Sequence, residues 1–249
     1  MTITSYAKFF MTLALVGSLS ACGGSSGSVV VTPPVGGGTT AAPDGSNLSS
    51  VIAFAKDGTQ SDLGNGVTRY SNTQTIDGTK YHAWVDSLPG YGDALVSYQT
   101  NDQGVSYTLT GSTPTVLNAP AGVYTGQIEM SYKPGANGTW QVMTGNLAAQ
   151  LDLTNGTVGI DSIASNANNT IEVLGTTTVS GSTFSAPDVT VRLRDGSGNL
   201  VKDYAGNVDG KIVTGDTNSA MFGTVGVNDP DGFQLNGGIH AAYDPSQNP

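Results

Sequence analysis

Cysteine is nearly missing from this chain: 249 residues contain one, Cys22, so no disulfide can form within it. Histidine is almost as scarce, with His82 and His240 the only two. A nucleophile, base and orienter triad would have to draw on one of them, and no Gly-x-Ser-x-Gly elbow with a following helix is present. No spacing of His, Cys, Asp and Glu suits a metal ion, and no loop offers calcium ligands at alternate positions closed by a Glu. Asp86 and Asp93 flank Tyr91 and could be imagined as a glycosidase carboxylate pair, but the run from Leu88 to Asp93 reads better as a loop between strands. An enzyme is therefore not expected. Basic residues are few, 9 Lys and Arg against 19 Asp and Glu. A surface of that sign repels nucleic acid and anionic headgroups, which argues against both as direct partners. Sustained helical periodicity is lacking too, whereas apolar and polar residues alternate with period two throughout.

What is present begins with a secretion signal over residues 1–21. Lys8 supplies the positive start, Phe9 to Gly17 a short apolar run, and Leu19, Ser20 and Ala21 precede the lone cysteine. The run is too short to span a bilayer as a retained helix. Leu19-Ser20-Ala21-Cys22 matches the bacterial lipobox, which makes Cys22 the expected site of lipid attachment and the new N-terminus. Gly23, where an Asp would retain the protein at the inner membrane, points to the outer membrane, with possible exposure at the cell surface. Cleavage leaves 228 residues (249 minus 21) with 8 basic against 19 acidic groups, a net charge of 8 minus 19, or −11. Residues 22–47, rich in Gly, Ser, Thr and Pro, read as a flexible tether. As a coil it would reach roughly 25 to 30 Å, so the protein would meet the membrane through its N-terminal lipid.

The remainder predicts an all-β fold. Residues 48–118 read as a small β-rich region with strands at Val67–Tyr70, Tyr81–Val85, Leu95–Tyr98 and Val105–Leu109, and Pro114 and Pro120 mark the boundary. Residues 119–245 read as an eight-stranded antiparallel up-and-down barrel. Tyr124, Ile128, Met130 and Tyr132 alternate with Thr125, Gln127, Glu129 and Ser131 in its first strand. Rows led by Met143, Val158, Ile171, Val189 and Val208 follow, and the chain ends in a hairpin of Met221–Val227 and Phe233–Tyr243. In the last strand, Leu235, Gly237, Ile239 and Ala241 are expected on a dry face, and Asn236, Gly238, His240 and Ala242 on a wet one. Asp-Gly and Asn-Gly pairs at Asn65, Asp77, Asn155, Asp209 and Asp231, among others, read mostly as turn formers. A membrane-embedded barrel is disfavoured, because only 7% of residues are aromatic and a lipid anchor would be redundant.

Ser219-Ala220-Met221-Phe222-Gly223, followed after a short loop by Leu235-Asn236-Gly237-Gly238-Ile239, resembles the closing hairpin of the transferrin-binding protein B-like β-barrel of bacterial surface lipoproteins. The resemblance covers roughly Gly122 to Tyr243. It implies a single-lobe surface lipoprotein that captures a protein or an iron-bearing solute through loops at the barrel rim, and it assigns no contact residue. Read from the residues alone, Tyr91 and Trp140, aromatics beside turn residues at loop tips, are the candidate contacts. A heme-binding form, as in related hemophores, would need an axial ligand, and only His82 and His240 could supply an imidazole. The alternative is a structural or adhesive envelope module with no uptake role.

Overall fold

The computed structural model describes residues 41–248. Cys22, the signal and most of the tether lie outside them.

The described chain opens with a helix that the β-only reading missed, α1 (Leu48–Lys56). Asn47 caps it, its side chain accepting from the amides of Ser49 and Ser50. Leu48, Val51, Ile52 and Ala55 recur at i, i+3, i+4 and i+7, enough for an apolar stripe but too short to stand out in the sequence. Asp57-Gly58, another of the Asp-Gly pairs that read as turn formers, ends this helix instead.

Five strands follow as an antiparallel meander in the order of the chain: β1 (Thr59–Gly64), β2 (Val67–Ile76), β3 (Thr79–Leu88), β4 (Gly92–Thr100) and β5 (Ser106–Leu109). The first two hairpins turn on Asn65-Gly66 and Asp77-Gly78, all four residues at φ between 49° and 87°, as the primed turns require. β1 is exposed along nearly its whole length and offers no apolar alternation, so the sequence carried no sign of it.

The remaining eight strands close into a barrel: β6 (Gly122–Lys133), β7 (Gln141–Asp152), β8 (Thr157–Ser165), β9 (Asn169–Ser180), β10 (Thr183–Asp195), β11 (Leu200–Thr214), β12 (Ser219–Asn228) and β13 (Gln234–Tyr243). Closure is the pairing of the last strand with the first, from Gln234 opposite Lys133 to Tyr243 opposite Tyr124. The expected inward rows meet in one core that includes Ile128, Leu147, Ile171, Val191, Ile212 and Leu235. Each fully buried large side chain contributes roughly 1.5 to 3 kcal/mol. At one end Tyr204 stacks on Phe233 with ring centroids 4.0 Å apart. At the other, Leu117 and Ala119 of the connecting segment pack against the core, and Ser182 and Thr214 donate hydroxyl bonds to the carbonyls of Pro114 and Asn118.

The meander lies against the outside of this barrel. Val67, Trp84, Leu88 and Leu95 pack with Val213, Ala220, Phe222 and Ala242 of β11, β12 and β13. On the opposite face of the meander, α1 packs Val51, Phe54 and Ala55 against Ala83, Val85 and Val96. The outward row of β13, expected to be wet, is thus largely covered: Gly238, His240 and Ala242 are buried and only Asn236 is exposed.

Candidate functional site

The junction of meander and barrel depends on a close backbone approach. A Cβ on Gly237 would meet Val225 inside the barrel, whereas one on Gly238 would lie 2.6 Å from the Tyr107 ring and 3.1 Å from Leu95 outside it. The paired glycine therefore thins the wall on both faces at one point, and β5 settles there through Tyr107. From that contact a polar cluster spreads. Tyr107 donates its hydroxyl to Glu129 Oε1 at 3.2 Å, and Trp84 donates Nε1 to the same oxygen at 2.8 Å. Arg69 lies 3.7 Å over the Trp84 ring. Its Nε and Nη2 donate to Asp86 at 2.7 and 2.9 Å, and its Nη1 reaches Glu129 at 3.4 Å.

Asp86 is wholly buried, and His240 Nδ1 stands 3.3 Å from its second oxygen. Burial alone would raise the Asp86 carboxyl, but the bonds and charges of Arg69 and His240 outweigh it and hold the group below the usual carboxylate range. Burial and the neighbouring Glu129 drive the Tyr107 hydroxyl well above its ordinary value. His240 is 3% exposed rather than a solvated surface residue, and its Nε2 has no hydrogen-bond partner. Lower on the same junction Lys211 is buried under Tyr91, donating to its hydroxyl at 2.6 Å and to the carbonyl of Thr110. Desolvation pushes its ammonium down to about 8. Apart from His240 Nε2 these groups are spent on one another, which makes the cluster a fastening between two layers.

The sequence-selected residues fall around that fastening. Asp86 and Asp93 are not a catalytic pair: Asp86 serves Arg69, while Asp93 takes Lys56 at 2.7 Å and the Ser87 hydroxyl at 2.7 Å. His82 hydrogen-bonds Thr73 at 2.7 Å through Nδ1, and burial, with help from Lys80 and Arg69, holds it below the usual imidazole range. It lies four residues from Asp86 on β3, about 13 Å along the strand, so the two histidines serve different parts of the junction. A heme iron could reach His240 only by parting meander from barrel. Trp140 packs its ring over Gly104 and Tyr91 is tied to Lys211 and Ser112, so neither is a free loop tip. Among the described residues no group of three or more His, Cys, Asp or Glu could hold a metal ion, and no helix is long and apolar enough to cross a membrane.

Open space lies instead beside β5. Between β5 and the barrel wall is a groove of about 340 Å³ lined by Ser106, Tyr107, Asn207, Thr224, Gly226 and Asn236. On the other side of the same strand, a pocket of about 180 Å³ is lined by Leu48, Val51, Val96, Tyr98 and Thr108. Sequence reasoning missed Asn207, Thr224 and Asn236, because an outward polar row reads only as solvated until the layer beside it is known. No protein-family model and no curated protein matches the chain.

Proposed function

We propose that this is a lipid-anchored cell-envelope protein of the outer membrane that captures a protein or an iron-bearing solute and leaves it chemically unchanged. The observation that carries this reading is the placement of open grooves outside a barrel whose inside is packed with its own side chains. Their walls offer amides, hydroxyls and an aromatic ring, groups that recognise without reacting. The lipobox at Cys22 and the tether add the means of holding such a surface away from a membrane.

A pull-down from growth medium or host fluid with the mature protein, paired with a heme titration followed at the Soret band, tests the capture. A stoichiometric protein partner or a saturable iron-bearing ligand is expected; clean negatives in both, with the protein abundant under iron-replete growth, would favour a structural envelope module. The anchor is tested separately: Cys22→Ala is expected to shift the protein out of the membrane fraction. Its persistence there after salt and carbonate washing would refute lipid tethering.

A further inference from the structure

The groove and the pocket described above share one strand, and that strand is an edge of its sheet. β5 pairs only with β4. Just beyond its end the Thr110 amide donates to Ala94 at 2.9 Å. With antiparallel alternation, the backbone groups of Ser106 and Thr108 then turn toward β4, and those of Tyr107 and Leu109 turn outward, unpaired by any strand. The opposite edge is guarded: β1 carries Asp62 and an irregularity between Asp62 and Gly64. β5 is short, at four residues, but it carries no charge, proline or bulge, three of the devices that keep an edge from pairing.

We propose that the free edge of β5 receives an extended segment of a partner polypeptide as a sixth strand of the meander. The proposal rests on the capture reading and names the class of ligand. A strand added about 4.8 Å beyond β5 would send alternate side chains to the two faces of the sheet, and each face has its own recess. On the helix side Leu48, Val51, Val96 and Tyr98 suit aliphatic side chains. On the barrel side Asn207, Thr224 and Asn236 suit neutral polar ones. Charge decides one position further. Asp209 accepts from Ser185 at 2.6 Å and from Asn207 at 3.2 Å, yet no cation pairs with it among the described residues. A lysine or arginine reaching past Asn207 would meet it. The favoured segment thus alternates aliphatic with polar residues and carries a basic side chain on its polar face.

The test uses the mature protein and a short synthetic peptide alternating Val and Thr, with one Thr replaced by Lys. Binding is followed by NMR, with hydrogen exchange read at the Tyr107 and Leu109 amides. Both amides are expected to slow on saturation. Thr108→Arg and Asn236→Arg, at exposed positions in the two recesses, are expected to weaken binding by about tenfold or more, equivalent to about 1.4 kcal/mol. Asp209→Asn should abolish the preference for the Lys peptide over its all-Thr counterpart. Binding that leaves both amides exchanging freely would overturn the site while the capture reading stood. Failure of the peptide to bind at millimolar concentration would overturn it as well. Protection of the same amides in a concentration-dependent dimer, without peptide, would give the edge to a second copy of this chain. A pull-down that recovers nothing counts against the capture reading itself.

Discussion

The barrel has two walls that look alike in sequence and differ in what lies outside them. Along β7, β8 and β9 the outward row meets solvent: Ile163 stands 48% exposed and Val142 45% exposed. Along β12, β13 and β6 the outward row meets the meander, and Phe222, Ala242, His240 and Ser131 are buried. Both walls share the same inward core, so the difference isolates what a second layer adds. On the bare wall a polar residue is neutral toward stability. On the covered wall an unpaired polar group is costly, and Asp86, Arg69, Glu129 and Trp84 are bound to one another for that reason, with His240 Nε2 the exception.

That contrast can be broken most forcefully at the ion pairs. Asp86→Ala takes from Arg69 its two shortest bonds, leaving Glu129 at 3.4 Å, and removes the carboxylate beside His240; it is expected to cost about 3 to 5 kcal/mol. Glu172→Ala, which removes the partner of Arg194 and the more distant of two partners of Arg192 on the bare wall, should cost about 0 to 1 kcal/mol. Urea melts of the two variants check it, and comparable losses would mean that the junction is not the stronger constraint. A smaller difference is expected between two glycines. Gly238→Val drives a side chain into Tyr107 and should cost about 1 to 3 kcal/mol. Gly159→Val, on the outward row of β8 with nothing nearer than 3.9 Å to its Cβ, should be neutral or slightly stabilising, because a β-branched residue suits a strand.

The finest test is a pH profile. Lys211 is pushed down to about 8 from 10.5, so above the folded value the unfolded chain holds a proton that the native protein has released. Stability should therefore rise as the pH climbs through about 8 toward 10.5. Lys211→Met should flatten that rise. Lys202, exposed at the rim and raised first by its bond to Asp231, should not supply it. Chemical melts at stepped pH would decide, and a rise that survived in Lys211→Met would assign it elsewhere.

Much of the fold was legible because it rests on local alternation. Every inward row of the barrel followed from period two, and Asn65-Gly66 and Asp77-Gly78 turned where left-handed backbone is needed. Asp209-Gly210 has the same signature yet lies inside β11, where Gly210 makes room for the Phe184 ring; a glycine that admits a neighbour looks the same in sequence as one that turns a chain. The junction was illegible for another reason. His240 and Asp86 lie on strands far apart in the chain, and nothing near either residue reveals that one will cover the other. Asn236 and Thr224 matter only because β5 stops beside them.

The barrel closes through its last strand, and that same strand supplies much of the surface on which the meander rests. Any route that delivers the chain N-terminus first makes α1 and β1 to β5 long before β12 and β13 exist. Until then Trp84, Leu88 and Leu95 have no wall to cover them, and β6 has no partner on its open side. Pairings this distant in sequence form slowly, and waiting apolar surface invites association. The final hairpin therefore acts as a timing step, completing the closed barrel and its docked layer together, and a chain cut short before Phe233 would lose both at once.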